Sequence, residues 1–270
     1  MTRYYGAQHN LSQLIKTHLF IICPNNSGST FLKNILSTSE STWNLAKEGQ
    51  HTFGFAGPST RQLGAGLIWS TRQEWIERLT DDTAYDWTTT RKAWYFCAFS
   101  RYPKAHIFVT KAPPFLFNVH LLQEHFNNAR FIFMVRNPYP VIEGIYRRHR
   151  GFEIHRHDDV RVIAAEHVIN CLAQQRKNIE QYPADGLFFT YEQMCDEAQL
   201  VEQKIKSWLP ALADLKLEQK ISVKQMYDEM LRNMNAQQIA RLSHEDIIVI
   251  NSVLRPHQQL LAYFGYTLME

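Results

Sequence analysis

An apolar run, Leu19-Phe20-Ile21-Ile22-Cys23, passes directly into Pro24-Asn25-Asn26-Ser27-Gly28-Ser29-Thr30-Phe31, and the pattern then turns helical from Thr30 to Ser37. A buried strand, a short loop of small polar residues and a helix N-terminus together present a row of backbone N–H groups to an anion, above all a phosphate. Gly28 lets the backbone approach such a group closely. The same order constrains the fold, because a strand that feeds a helix in this way belongs to a βαβ unit with a parallel sheet. The loop does not have the G-x-x-x-x-G-K-[ST] pattern of triphosphate hydrolases, since Ser29 stands where the phosphate-reaching lysine would be.

A second strand, Arg130 to Val135, ends in Arg136-Asn137-Pro138-Tyr139-Pro140 and a helix that runs to Arg150. Proline is tolerated in a first helical turn, so the strand breaks right after Arg136. That places Arg136 at the carboxyl end of a strand, the edge where open α/β sheets bind ligands. Arg148 follows on the same helix.

Further strands read at Ile107–Thr110 and Leu187–Thr190, between helical patterns at Thr71–Leu79, Phe115–Phe126, Val160–Tyr182, Tyr191–Leu209, Val223–Met234, Ala236–Leu242 and His244–Phe264. Ser243, with Asp246 three residues on, predicts a capping box at the start of the last helix. The alternation predicts an α/β fold: one P-loop-like domain over residues 1–270, with a mostly parallel central sheet flanked by helices on both faces. Residues 39–70 are rich in Gly, Ser and Thr and read as a long irregular segment, which in a compact domain is usually functional.

These pieces, in this order, resemble the sulfotransferase superfamily, whose donor is 3′-phosphoadenosine 5′-phosphosulfate (PAPS) and whose nucleotide product is 3′-phosphoadenosine 5′-phosphate (PAP). Thr110-Lys111-Ala112-Pro113 looks like the K-x-P stretch of the tyrosylprotein-type enzymes. Phe188-Phe189-Thr190-Tyr191-Glu192 and Tyr263-Phe264-Gly265-Tyr266 look like the late strand and the C-terminal Leu-Gly-Tyr. The resemblance runs from His18 to Tyr266. It implies that Ser27, Gly28, Ser29, Thr30 and Phe31 hold the 5′-phosphosulfate and that Arg136 grips the 3′-phosphate, with Arg148 as a second arginine and Tyr191 beside the nucleotide. Two positions depart from the pattern: Asn26 stands where the family has Lys or Arg, and Gly144 where it has Ser.

For catalysis the resemblance implies Glu48 as general base and Lys111 as the cation that offsets charge on the transferring group. His51 is the rival base, because an imidazole is poised near neutral pH. The transfer calls for positioning, charge stabilisation and a base, so no metal is expected. Two other readings share the strand-loop-helix opening: a P-loop small-molecule kinase, and a nucleotide-binding relic whose activity decayed with Asn26 and Gly144.

Composition sets outer limits. A formal net charge of +3 is too mild to imply a nucleic-acid partner, and no apolar run reaches the length of a membrane span. The N-terminus has no apolar signal region, so the chain as given reads as cytoplasmic. Cys23, Cys97, Cys171 and Cys195 form no C-x-x-C pair and read as reduced thiols. His149, His155 and His157 are a weak metal motif without a remaining ligand set, and read better as a substrate-lining loop. Trp69, Trp75, Trp87, Trp94, Tyr95, Phe96 and Phe99 read first as core, with an acceptor pocket as the alternative. The partner is expected to be a hydroxyl-bearing (or amine) acceptor, whether small molecule, sugar or peptide, and the oligomeric state is not legible.

Overall fold

A computed structural model of the chain describes residues 2–149, 159–223 and 227–270. In chain order its first half runs β1 (Tyr4–Tyr5), α1 (Leu11–Leu14), β2 (Thr17–Ile22), α2 (Ser29–Leu36), β3 (Thr42–Leu45), α3 (Gln73–Thr80), α4 (Trp87–Cys97), β4 (Ala98–Ser100) and β5 (Ile107–Lys111). Then follow α5 (Val119–His125), β6 (Ala129–Val135), α6 (Pro138–His149), α7 (Val160–Gln181), β7 (Gly186–Thr190), α8 (Tyr191–Asp196) and α9 (Ala198–Trp208). The chain closes with β8 (Ile221–Val223), β9 (Tyr227–Glu229), α10 (Asn235–Ile239), α11 (His244–Leu254) and α12 (Gln258–Tyr263).

Seven strands form the main sheet in the order β1-β4-β3-β5-β2-β6-β7. From β3 to β7 all neighbours are parallel, and β4 and β1 add an antiparallel edge. The expected α/β architecture is therefore the observed one. Every residue of β2 is buried, and its side chains alternate between two cores. Phe20 and Ile22 pack with Trp43, Trp94, Phe115 and Phe131 on one face, while Leu19, Ile21 and Cys23 pack with Leu32, Ile35 and Met134 on the other. A strand covered on both faces reads as a continuous apolar run, which is why β2 and β6 were so legible.

The topology decides where the site lies. Central β2 is flanked by β5 and β6, with Ile21 paired to Lys111 on one side and Ile22 to Phe133 on the other. The chain leaves β2 toward β3 and β5, and returns to β6 on the opposite side, so the sheet reverses its winding there. The loop after β2 thus opens into the crevice of a topological switch point, between the carboxyl ends that carry Lys111 and Arg136. Gln175 of α7 ties two of these ends together, donating to the carbonyls of Ile22 (2.7 Å) and Met134 (2.9 Å).

Several boundaries differ from those read in the sequence. Segment 39–70 contains β3, whose four residues are all buried against β5; four residues of mixed polarity carry too little periodicity to announce a strand. Helix α4 and the antiparallel edge were also missed. The stretch expected to be helical over Val223–Met234 instead carries the antiparallel pair β8 and β9, with residues 224–226 outside the described set. The expected Tyr191–Leu209 helix breaks at Glu197, whose backbone leaves the helical region, and His244–Phe264 is interrupted by a 3-10 turn containing Pro256. That proline has no N–H to donate to the preceding turn. Phe115–Phe126 begins as a 3-10 turn, Pro113–Phe117, before α5. The Ser243–Asp246 capping box is present with both hydrogen bonds. Cys23 and Cys171 are buried thiols, whereas Cys97 and Cys195 are half-buried.

Candidate active site

Gly28 is the N-cap of α2 and has φ 83°, a left-handed conformation that favours glycine. A Cβ there would lie 2.6 Å from the Tyr191 ring. No side chain caps α2, so the first-turn N–H groups of Ser29, Thr30 and Phe31 remain available to a ligand. They belong to the loop that walls a cavity of about 550 Å³, lined by residues 25–30 together with Glu48, Lys111, Arg136, Arg147, Arg148 and Arg241. Four arginines and a lysine against one carboxylate make this wall strongly cationic.

Arg136 is 5% exposed, and its guanidinium sits 4.2 Å from the centre of the Tyr191 ring. It donates to Asn235 Oδ1 (2.8 Å), to the Asn26 carbonyl (2.8 Å) and to Gln238 Oε1. All three acceptors are neutral. Burial lowers its pKa, and Tyr191 and Glu192 offset that only in part. Among the described residues no carboxylate forms an ion pair with it, so a buried cation without a direct counter-ion stands beside the cavity.

The two departures from the expected motif prove to be one structural unit. Asn26 adopts φ 59°, and its side chain lies where Gly144 has no Cβ: a methyl group built at Gly144 would come within 2.9 Å of Asn26 Nδ2. Asn26 Oδ1 accepts from Arg148 Nη1 at 3.0 Å. A Cβ at 144 would press on the tip of the Asn26 amide, so Gly144 leaves the space that this Asn26 rotamer uses, and Asn26 in turn holds Arg148 at the cavity.

On the other flank Lys111 Nζ donates to Glu48 Oε1 (2.8 Å) and to Thr30 Oγ1 (3.0 Å), joining the loop, β5 and the segment after β3. Burial pushes the Glu48 carboxyl up, but the Lys111 charge and hydrogen bond, helped by Gln50 and His51, hold it below the ordinary carboxylate range. His51 is more exposed, and its Nε2 lies 3.9 Å from Glu48 Oε2. Of the two candidate bases, Glu48 is the one in contact with Lys111.

Not every anticipated residue faces the cavity. The Phe31 ring packs against the core beneath the loop. Tyr191 lies under Arg136 and Gly28, with its hydroxyl bonded to the Arg232 carbonyl (2.9 Å) and the Met234 N–H (3.1 Å). His149 lines the neighbouring cavity, His155 and His157 lie outside the described residues, and among the described residues no group of three or more metal-ligating side chains converges.

Other contributors escaped the sequence reading. Buried Lys33, on α2, donates to the carbonyls of Leu45 (2.7 Å) and Ala46 (3.0 Å), and so fixes the backbone that leads to Glu48. Desolvation drops its pKa from 10.5 to about 8. A lysine in the apolar run Phe31-Leu32-Lys33-Asn34-Ile35-Leu36 was the available signal. Glu192 accepts from the Asn137 N–H (2.9 Å), Asn235 Nδ2 (2.6 Å) and the Tyr266 hydroxyl (2.9 Å), gathering the turn after Arg136, α10 and the C-terminus. Tyr-Glu and Gly-Tyr thus matter because they meet. Arg147 and Arg241 both flank the buried Glu143, at 2.9 and 3.7 Å.

A second cavity, of about 670 Å³, adjoins the first. The two share Asn25, Glu48, Leu67, Pro113 and Arg148, and the second extends along Gln50, His51 and residues 60–61 and 64–69. The irregular segment therefore builds its wall. Of the tryptophans, Trp69 lines it, whereas Trp75, Trp87 and Trp94 are core.

An uncapped helix N-terminus, a buried arginine and a lysine–carboxylate pair meet around one crevice, and comparison with known proteins gives the chain a family. The chain belongs to the sulfotransferase family, whose model matches residues 18–210. The fold is similar to that of the sulfotransferase domain of the Synechococcus PCC 7002 olefin synthase (TM-score 0.55, 19% identity, 94% of this chain and 96% of that one). It is likewise similar to the sulfotransferase domain from the curacin biosynthetic pathway (0.54, 17%, 94% and 99%) and to sulfotransferase STF9 from Mycobacterium avium (0.51, 12%, 96% and 80%). A search of curated proteins found no match. No helix among the described residues is long and apolar enough to cross a membrane.

Proposed function

We propose that the protein transfers the sulfuryl group of PAPS to an acceptor hydroxyl, with the donor in the 550 Å³ cavity and the acceptor in the adjoining one. The observation that carries this reading is the buried, carboxylate-free Arg136 on the wall of the cavity that also holds the uncapped α2 N-terminus and Lys111. Two anion sites in one crevice suit a nucleotide with phosphate at both the 3′ and 5′ positions, and a guanidinium fork suits a terminal phosphate. The volume lies in the range of small-molecule sites.

The donor supplies the sulfuryl group; the chain supplies charge and a base. Glu48, kept ionised by Lys111, takes the proton of the acceptor hydroxyl as its oxygen bonds to sulfur. As the bond from sulfur to the phosphate oxygen breaks, Lys111 and the α2 N–H groups offset the charge left on that oxygen. Lys111 already spans Glu48 and Thr30, and so reaches both reacting sides.

The test is donor recognition. PAP should raise the melting temperature well beyond 5′-AMP, and Arg136→Ala should remove most of that difference, a loss of about 2–5 kcal/mol for one partner of a buried charge pair. Equal binding of the two nucleotides would show that the 3′-phosphate is not read and would sink the assignment.

A further inference from the structure

The wall of the second cavity speaks to the acceptor. Its apolar side is made by Ala65, Leu67, Ile68, Trp69, Pro113 and Pro114, with Glu48, Arg148 and His149 at its border and Gln50 and Thr60 within the wall. Several polar groups of the wall are spent on one another. Gln50 Oε1 accepts from the Thr60 N–H (3.0 Å) and hydroxyl (3.3 Å), and Gln50 Nε2 donates to Glu48 Oε2 (3.3 Å). The Trp69 indole N–H is spent on Asn25 Oδ1 (3.0 Å), which leaves its ring as apolar surface. His51 and Arg61 are exposed and keep their own contact with water.

We infer that the acceptor is a drug-sized, predominantly apolar alcohol or phenol that enters with its hydroxyl toward Glu48, and not a saccharide. The inference rests on the donor reading above. A saccharide would bring a hydroxyl on nearly every carbon against an apolar side on which Gln50, Thr60 and Trp69 are already engaged, and each buried hydroxyl left without a partner opposes binding. An apolar frame loses nothing there and gains by leaving water. Its single hydroxyl meets Glu48, which lines both cavities, so the acceptor oxygen is delivered to the base at the junction with the donor site.

Two independent readouts on the full chain test this. Binding of 2-naphthol, 1-decanol and maltotriose is measured by calorimetry, with and without saturating PAP, and turnover of each is measured with PAPS. The expected result is that the naphthol and the decanol bind and are sulfated while maltotriose does neither. Ala65→Leu, which narrows the cavity, should weaken 2-naphthol at least tenfold with PAP affinity unchanged, and Ile68→Ala should shift preference toward bulkier phenols. Retained PAP binding certifies that each variant is folded. Binding of maltotriose in preference to the two apolar probes, or no binding of either apolar probe to a protein that binds PAP, overturns the inference. Failure of PAP itself to bind would strike the donor reading instead, while apolar-probe binding without PAP still reports on the cavity.

Discussion

Lys33 offers the sharpest physical test, because a buried ammonium that holds two backbone carbonyls leaves a signature in the pH dependence of stability. Its pKa of about 8 in the folded chain, against 10.5 for the ordinary side chain, has burial as its largest cause, with repulsion from Lys111 adding and Glu48 opposing. Between those two pH values the unfolded chain binds more protons at this site than the folded one, so stability contributed through Lys33 rises with pH across the window. At 1.36 kcal/mol per pH unit the rise amounts to about 3 kcal/mol by pH 10.5. Tyrosines and cysteines titrate in the same range with the opposite sign, so the informative quantity is the difference between wild type and Lys33→Met. That difference, from urea unfolding at intervals between pH 7 and 10.5, should move by about 3 kcal/mol in favour of wild type as pH rises. The variant also leaves the Leu45 and Ala46 carbonyls without their donor, a constant cost of about 1–3 kcal/mol that does not vary with pH. Turnover should fall as well, since those carbonyls lead directly to Glu48. A stability difference flat from pH 7 to 10.5 would refute the reasoning: Lys33 would then keep an ordinary pKa and its amine would be hydrated.

The chemistry gives a second prediction: under saturating donor Glu48→Gln should lose roughly 10²–10⁴-fold in turnover while PAP still binds, and His51→Ala should keep most of its activity; the reverse pattern would move the base to His51. Gly144→Ser should cost about 1–3 kcal/mol by driving Asn26 from its place, and the pair Asn26→Ala with Gly144→Ser should recover much of it in a double-mutant cycle; additive losses would show that the two residues are independent. At the acid end, His18 is held neutral by burial, with its pKa lowered to about 4, so the unfolded chain binds the extra proton between about 4 and 6.5. Stability should therefore fall as pH drops through that window, by about 3 kcal/mol from this site, and His18→Gln should flatten the slope seen in acid unfolding curves.

Some of this protein is written locally in its chain. Leu19 to Cys23 and Ala129 to Val135 are apolar on both sides because both faces of the sheet are covered, and a one-dimensional pattern records that directly. The loop at Gly28 and the break after Arg136 follow from glycine and proline geometry, so the expectation that both lie at strand ends on one crevice needed no contact information. The helix expected across Val223–Met234 failed for the converse reason: the pairing of β8 with β9 is an interaction between segments, and helical spacing within the run says nothing about it. The same holds for β3, four residues that become a strand because β5 lies beside them.

The meaning of single residues was decided only in three dimensions. Asn26 and Gly144 each look like a loss when taken along the chain, and only their approach within 2.9 Å shows one fitting the other. Spacing treats Glu48 and His51 alike; only the fold shows that Lys111 arrives from β5 at Glu48 and holds that carboxylate ionised. Lys33 reads as a flaw in an amphipathic helix until the Leu45 and Ala46 carbonyls are found at its tip. Sequence by itself determined the strands β2, β5, β6 and β7 and the turn at Gly28, since backbone geometry and solvent exclusion act on neighbours along the chain. The charge state, reach and pairing of the site residues depend on groups far apart in sequence, and only the tertiary structure brings those together.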